Sequence, residues 1–88
     1  MSVDRLDPTQ LSAAHKHAFE NRKEIEASEN YGCFYCGKSG PTSEINEWVD
    51  DGDTATCPHC GIDSVIGSAS GFPVTKEAFL GAMKRRWF

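Results

Sequence analysis

Two short cysteine motifs constrain this 88-residue chain more than any other feature of its sequence. Cys33 and Cys36 lie in CFYCG, Cys57 and Cys60 lie in CPHCG, and the chain has no other cysteine. A gap of two residues allows both thiolates of one motif to face the same ion, and two such motifs complete the tetrahedral four-cysteine coordination typical of structural Zn²⁺. The spacing therefore predicts one zinc ion held by Cys33, Cys36, Cys57 and Cys60.

The residues around the cysteines support the same interpretation. Gly37 and Gly61 follow the motifs and can adopt positive φ, which allows nearby N–H groups to point toward the sulfurs. Four protein ligands leave no open coordination position, so the predicted zinc is structural and His59 is predicted to face solvent. Two alternatives remain open: the cysteines are small core residues, or one CxxC pair is a redox dithiol. No βαβ pattern, which accompanies thioredoxin-like dithiols, surrounds either motif.

The flanking sequence predicts a helix on each side of the cysteine region. Asp7 and Pro8 fit the N-cap and the first position of a helix over residues 8–28. The apolar stripe of this helix consists of Leu11, Ala14, Ala18 and Ile25. A second helix is predicted over residues 76–86, with Thr75 as its N-cap. Its apolar face consists of Phe79, Leu80 and Met83.

Residues 31–66 are predicted to form a small zinc ribbon, in which two CxxCG knuckles accompany a short antiparallel sheet. The turn DDGD would join strands in EINEWV and TATC. A short helix over residues 42–49 is an open alternative, because the apolar side chains there are three residues apart. Residues 67–75 are predicted to be a linker. Residues 1–88 as a whole are predicted to form one α+β domain, a zinc ribbon flanked by an N-terminal and a C-terminal helix.

Aromatic side chains are concentrated near the first motif and at the C-terminus. Trp48, Trp87 and Phe88 are predicted to supply an aromatic core around the small ribbon. Docking of Trp87 and Phe88 onto a partner is an open alternative. Phe34 and Tyr35, inside the first motif, either pack under the helices or contact a partner.

The formal charge of −4 is distributed unevenly along the chain. Residues 33–66 carry a net charge of −5, whereas residues 67–88 carry +3. An acidic centre suits a basic protein partner through electrostatic steering. The basic cluster Lys84, Arg85 and Arg86 is too small to neutralise many phosphates, so nucleic acid is a less favoured partner.

The sequence contains no recognisable catalytic constellation. Neither a nucleophile elbow nor a glycine-rich phosphate loop is evident, so we predict neither an enzyme nor a small-molecule substrate. The opening residues MSVDRLDPTQ lack the apolar region of a secretory signal, and no apolar run is long enough to cross a bilayer. We therefore expect a cytoplasmic protein without membrane association, in which the cysteines stay reduced.

Three stretches resemble a family of short bacterial proteins that are described only as cytoplasmic or uncharacterised. They are NRKEIEASENYGCFYC, EINEWVDDGDTATCPHCGIDSVIG and SGFPVTKEAFLGAMKRRWF. The likeness extends from Asn21 to Phe88, and the first twenty residues match least. One departure is GKSGPTSEI, which contains more glycine than the apolar stretch found there in the family. The resemblance implies a bacterial cytosolic protein with a zinc-ribbon-like centre, and it implies no activity.

Three functional hypotheses follow from these observations. The favoured one is a non-enzymatic protein-interaction module, such as an adaptor, a regulator or an immunity-type protein that blocks a toxin. The second is a nucleic-acid-associated zinc ribbon in transcription or translation, and the third is a dithiol redox protein.

Overall fold

The computed structural model describes residues 7–88, which form a small α+β structure with short helices and two small antiparallel sheets. The helices are α1 (Pro8–His15), α2 (Arg22–Glu26) and α3 (Glu77–Trp87). The strands are β1 (Asn30–Cys33), β2 (Ser39–Pro41), β3 (Trp48–Val49), β4 (Thr54–Ala55) and β5 (Val65–Gly67). Single 3₁₀ turns occupy Lys16–Ala18, Thr42–Glu44 and Ser68–Ser70. No helix in the described part of the chain is both long and apolar enough to cross a membrane.

Strand β1 is the centre of the larger sheet, whose order is β2–β1–β5 with both pairs antiparallel. Cys33, the last residue of β1, is paired with Val65 of β5, so the first cysteine motif begins at the middle strand. The hairpin predicted between the motifs is present as β3 and β4, with Trp48 opposite Ala55. Both alternatives for residues 42–49 occur in part, since a 3₁₀ turn there precedes strand β3.

The single helix predicted over residues 8–28 is wrong, although its start is correct. Asp7 and Gln10 form a capping box, in which the amide of Gln10 donates to the Asp7 carboxylate at 2.9 Å. Helix α1 then ends and, after the first 3₁₀ turn, the backbone of Phe19 is extended. Glu20 follows with φ of 49°, a left-handed conformation that interrupts any helix.

Tertiary hydrogen bonds to the buried side chain of Asn21 explain this break. Its amide nitrogen donates to the carbonyls of His17 and Val65, both at 2.8 Å. Its amide oxygen accepts from the backbone N–H of Ala55 at 3.1 Å. Asn21 thus joins strands β4 and β5 to the chain between α1 and α2, and its side chain satisfies two buried backbone groups, the carbonyl of Val65 and the amide of Ala55.

The break sends the members of the predicted apolar stripe into two different cores. The first core contains Leu11, Ala14, Ala18, Phe34, Ile66, Val74, Phe79, Leu80 and Met83. The second core contains Ile25, Tyr31, Cys33, Ile45, Ala55, Cys57 and Val65. The first core therefore fastens α1 and α3 together, whereas the second surrounds the cysteines.

Helix α3 buries the predicted face but begins and ends one residue later than the predicted range of 76–86. Lys76, not Thr75, is its N-cap residue, and no side chain caps it. The prediction of a core role for the C-terminal aromatic residues is wrong. Trp87 is 37% exposed and Phe88 is 60% exposed, because the buried stripe of α3 ends at Met83 and the chain continues past the core.

Residues 67–75 are not a free linker. The hydroxyl of Ser68 accepts hydrogen bonds from the amides of Glu29 and Asn30, each at 3.2 Å. Val74 is buried in the first core. The segment packs closely on α2 and β1, and a Cβ added at Gly67 would clash with the side chain of Ser28.

Candidate metal centre

The four cysteine sulfurs converge at one point, and each lies within 4.8 Å of the others. Cys33 Sγ is 3.7 Å from Cys60 Sγ, and Cys36 Sγ is 3.7 Å from Cys57 Sγ. Both of these distances join one motif to the other. The residues singled out from the sequence are therefore brought together by the fold into a group that could hold a metal ion.

Two of the sulfur–sulfur distances fit tetrahedral coordination. A zinc ion with Zn–S bonds of about 2.3 Å holds its four sulfurs roughly 3.8 Å apart. The two distances of 3.7 Å agree with that value. They are far longer than the roughly 2.05 Å of a disulfide bond, and all four cysteines are free thiols.

The first motif is a tight turn closed by two backbone hydrogen bonds. The amide of Gly37 donates to the carbonyl of Cys33, and the amide of Cys33 donates to the carbonyl of Lys38, both at 2.9 Å. Gly37 has φ of 80°, which a residue without a Cβ adopts at little cost. This turn brings Cys36 back toward Cys33.

The second motif repeats this geometry closely. The amide of Gly61 donates to the carbonyl of Cys57 at 2.9 Å, and the amide of Cys57 donates to the carbonyl of Ile62 at 3.0 Å. Gly61 has φ of 78°. The amide of His59 also points at Cys57 Sγ, at 3.4 Å. N–H groups that donate to a sulfur stabilise its thiolate form.

Ser64 belongs to the site, although its sequence position gave no reason to expect this. Its hydroxyl oxygen lies 3.0 Å from Cys33 Sγ, and the residue is 1% exposed. A hydroxyl that donates to a thiolate ligand orients it and tunes its basicity. Ser64 immediately precedes β5, and only the pairing of β5 with β1 places it beside Cys33.

The thiol of Cys60 is less acidic than that of an ordinary cysteine. Burial, reinforced by the neighbouring Cys33, raises its pKa to about 12, although a backbone hydrogen bond near Ile62 acts in the opposite direction. A thiol with a raised pKa is a poor nucleophile at neutral pH. A bound cation reverses this preference and favours the thiolate.

The side chains between the cysteines lie in different environments. His59 is exposed, as predicted, and its Nε2 is 3.9 Å from a carboxylate oxygen of Glu44. Phe34 is buried in the first core at 2% exposure. Tyr35 is 39% exposed, and its ring lies edge-on to that of Phe88 with centroids 4.8 Å apart. Phe34 therefore packs inside the fold, as one of the two alternatives predicted, whereas Tyr35 lies at the surface.

Comparisons with protein-family models, with curated proteins and with solved structures gave no match for this chain. The resemblance to short bacterial proteins therefore stays a prediction that rests on the motifs alone.

Proposed function

We propose that this protein is a non-enzymatic protein-interaction module built around a structural zinc ion. The observation that carries the zinc assignment is the pair of inter-motif S–S distances of 3.7 Å, which suit tetrahedral Zn²⁺. Four thiolates fill the coordination sphere and leave no position for a substrate or a reactive water. The proposed ion therefore stabilises the fold, and the centre of the molecule is a zinc ribbon with two knuckles.

The acidic surface supports a role in binding a basic protein. We call the exposed acidic residues around β3 and β4 the acidic hairpin: Glu44, Glu47, Asp50, Asp51 and Asp53. The hairpin lies close to the proposed metal centre, since Cys57 follows β4 closely. Charge of one sign on such a surface raises the association rate with a partner of opposite sign.

Affinity capture with a charge-reversed variant tests this proposal. Glu47→Lys with Asp51→Lys reverses two exposed charges on the acidic hairpin, and Glu29→Lys with Glu77→Lys makes the same change elsewhere. Zinc-loaded wild-type protein should retain a basic partner from a cell extract at low salt, and the hairpin variant should lose it. The proposal fails if the hairpin variant and the control variant retain that partner equally.

A nucleic-acid partner is the second candidate, and one observation favours it. The cations Lys84, Arg85 and Arg86 lie in the last turn of helix α3, beside the exposed rings of Trp87 and Phe88. Basic and stacking side chains together are typical of surfaces that bind single strands. A gel shift with a single-stranded oligonucleotide that weakens steeply with salt would support this candidate over the first. The third candidate, a dithiol redox protein, is disfavoured because all four thiols converge on one point instead of forming one isolated pair.

The proposed setting is the bacterial cytoplasm, with membership of the family that the motifs resemble. Reduced cysteines suit that compartment, where thiols persist. Thiol alkylation of intact cells before lysis tests this, because zinc-bound cysteines in a reducing compartment should carry no disulfide.

A further inference from the structure

A cleft of about 390 Å³ lies beside the metal centre, between α1, the first knuckle and the end of α3. Its lining includes Phe19, Phe34, Trp87, Phe88, Asp63 and Ser64. The last of these is the residue whose hydroxyl contacts Cys33. One wall of the cleft is therefore anchored to the metal centre.

The walls of the cleft are aromatic and remain open to solvent. Phe19 and Phe88 are 58% and 60% exposed, the two highest values among the large apolar side chains of the described residues. The ring of Trp87 packs against that of His15, with centroids 4.0 Å apart and the planes tilted by 35°. Exposed aromatic rings grouped around one cavity mark an interaction site, whereas single exposed apolar residues do not.

Asp63 adds the only carboxylate among the cleft-lining residues of the described chain. It is exposed, and the ion pairs among residues 7–88 involve other carboxylates. An unpaired carboxylate next to aromatic faces is the environment that a guanidinium group prefers, because it stacks on the rings and donates to both carboxylate oxygens.

We propose that this cleft binds an arginine side chain of a protein partner, with the guanidinium between the aromatic walls and the Asp63 carboxylate. This inference rests on the proposed function, since it names the chemistry that the partner presents. The acidic hairpin attracts a basic partner over a distance, and the cleft would select one arginine within it.

Arg86, a cation of α3, lies beside the aromatic wall of the cleft and provides a further test of the proposal. The guanidinium of Arg86 lies 5.3 Å from the centroid of the Trp87 ring, so the chain's own arginine already contacts this aromatic surface. Arg86 therefore competes with, and repels, an incoming guanidinium. Its replacement by glutamine should strengthen arginine binding, whereas it would weaken binding of a nucleic acid.

The test is an NMR titration of the zinc-loaded full chain with the blocked tripeptide acetyl-Gly-Arg-Gly-amide. The same tripeptide with citrulline is the uncharged control of matched shape. We expect saturable shifts at Phe19 and Phe88 with arginine and none with citrulline. Asp63→Asn should lower the affinity about tenfold, as expected for loss of a charged hydrogen-bonded partner. Arg86→Gln should raise it by about twofold, the size expected for one exposed charge.

Asp51→Asn is the matched control, because it removes the same charge from the hairpin and leaves the cleft intact. Equal effects of Asp63→Asn and Asp51→Asn, or equal binding of citrulline, would overturn the proposal. So would shifts at the cleft that grow with protein concentration alone, which would indicate a second copy. A single-stranded oligothymidylate that shifts the same residues, and does so less in Arg86→Gln, would also overturn it.

The two proposals fail separately. If Asp63→Asn has no effect while the hairpin variant loses its captured partner, the cleft assignment is wrong and the interaction function stands. If the tripeptide binds as expected but no basic protein depends on the hairpin, the cleft stands and the hairpin role is wrong.

Discussion

The two cysteine motifs share a backbone geometry but occupy different surroundings. Gly37 and Gly61 have φ of 80° and 78°, and each donates to the carbonyl four residues earlier. The residue after the first cysteine is Phe34 in one motif, buried at 2%, and Pro58 in the other, which is exposed. The comparison shows that the CxxCG sequence is sufficient to form the turn. The neighbouring elements decide whether the side chain after the first cysteine is buried.

The largest expected effect acts on both motifs at once, through loss of the proposed metal. A strong chelator, or Cys33→Ser or Cys60→Ser, should abolish the folded structure. Apparent binding free energies of about 10–16 kcal/mol in zinc-finger peptides exceed the stability of a domain this small. Metal stoichiometry with circular dichroism before and after chelation measures this. A serine variant that keeps both its zinc and its thermal midpoint would show that the two motifs do not share one ion.

The next effect should separate the two motifs. Phe34→Ala empties a position in the first core, and we expect it to lower the free energy of unfolding by about 3–5 kcal/mol. Pro58→Ala, at the equivalent position of the second motif, should cost less than about 1 kcal/mol. Urea unfolding of the zinc-loaded variants measures both. Similar losses would contradict the finding that Phe34 is buried in the first core whereas Pro58 is exposed.

A smaller effect concerns the hydroxyl of Ser64, which contacts a sulfur of the first motif. Ser64→Ala removes the contact with Cys33, and we expect zinc affinity to fall by about 10- to 100-fold. Competition with a chromophoric chelator measures the affinity, and Ser43→Ala on the exposed surface is the matched control. If both variants retain wild-type affinity, the Ser64 contact does not tune the metal site.

The smallest effect should be equal in the two motifs. Gly37→Ala and Gly61→Ala each place a Cβ on a left-handed residue, which costs about 1–2 kcal/mol. Apart from the neighbouring residues in the chain, no heavy atom of residues 7–88 lies within 4 Å of either added Cβ, so neither substitution should cause a clash. Thermal unfolding of the two variants should therefore give matching losses, and a clear inequality would mean that the surroundings also constrain the turns.

The predictions from sequence succeeded where the determinants are local. The capping box at Asp7, the apolar face of α3 and the hairpin between the motifs each depend on residues a few positions apart. The two identical spacings predicted the convergence of Cys33, Cys36, Cys57 and Cys60, and their ligation of zinc stays a prediction. The sequence also predicted that His59 would be exposed.

The predictions failed where distant residues determine the conformation. Nothing near Glu20 in sequence forbids a helix, and the break exists because the Asn21 side chain bonds β4 and β5. Contacts with residues that are distant in sequence likewise make residues 67–75 a packed segment and not a linker. Ser64 reaches Cys33 only because β5 pairs with β1.

The amino-acid sequence by itself determined the approach of the two cysteines within each motif, the two glycine turns and the start of α1 near Asp7. These depend on covalent spacing and on backbone preferences that act over a few residues. Only the tertiary structure decided which aromatic rings are buried and which line the cleft beside Asp63. Burial depends on which other residues pack around each side chain. For this reason Phe34 is buried whereas Phe88 is exposed.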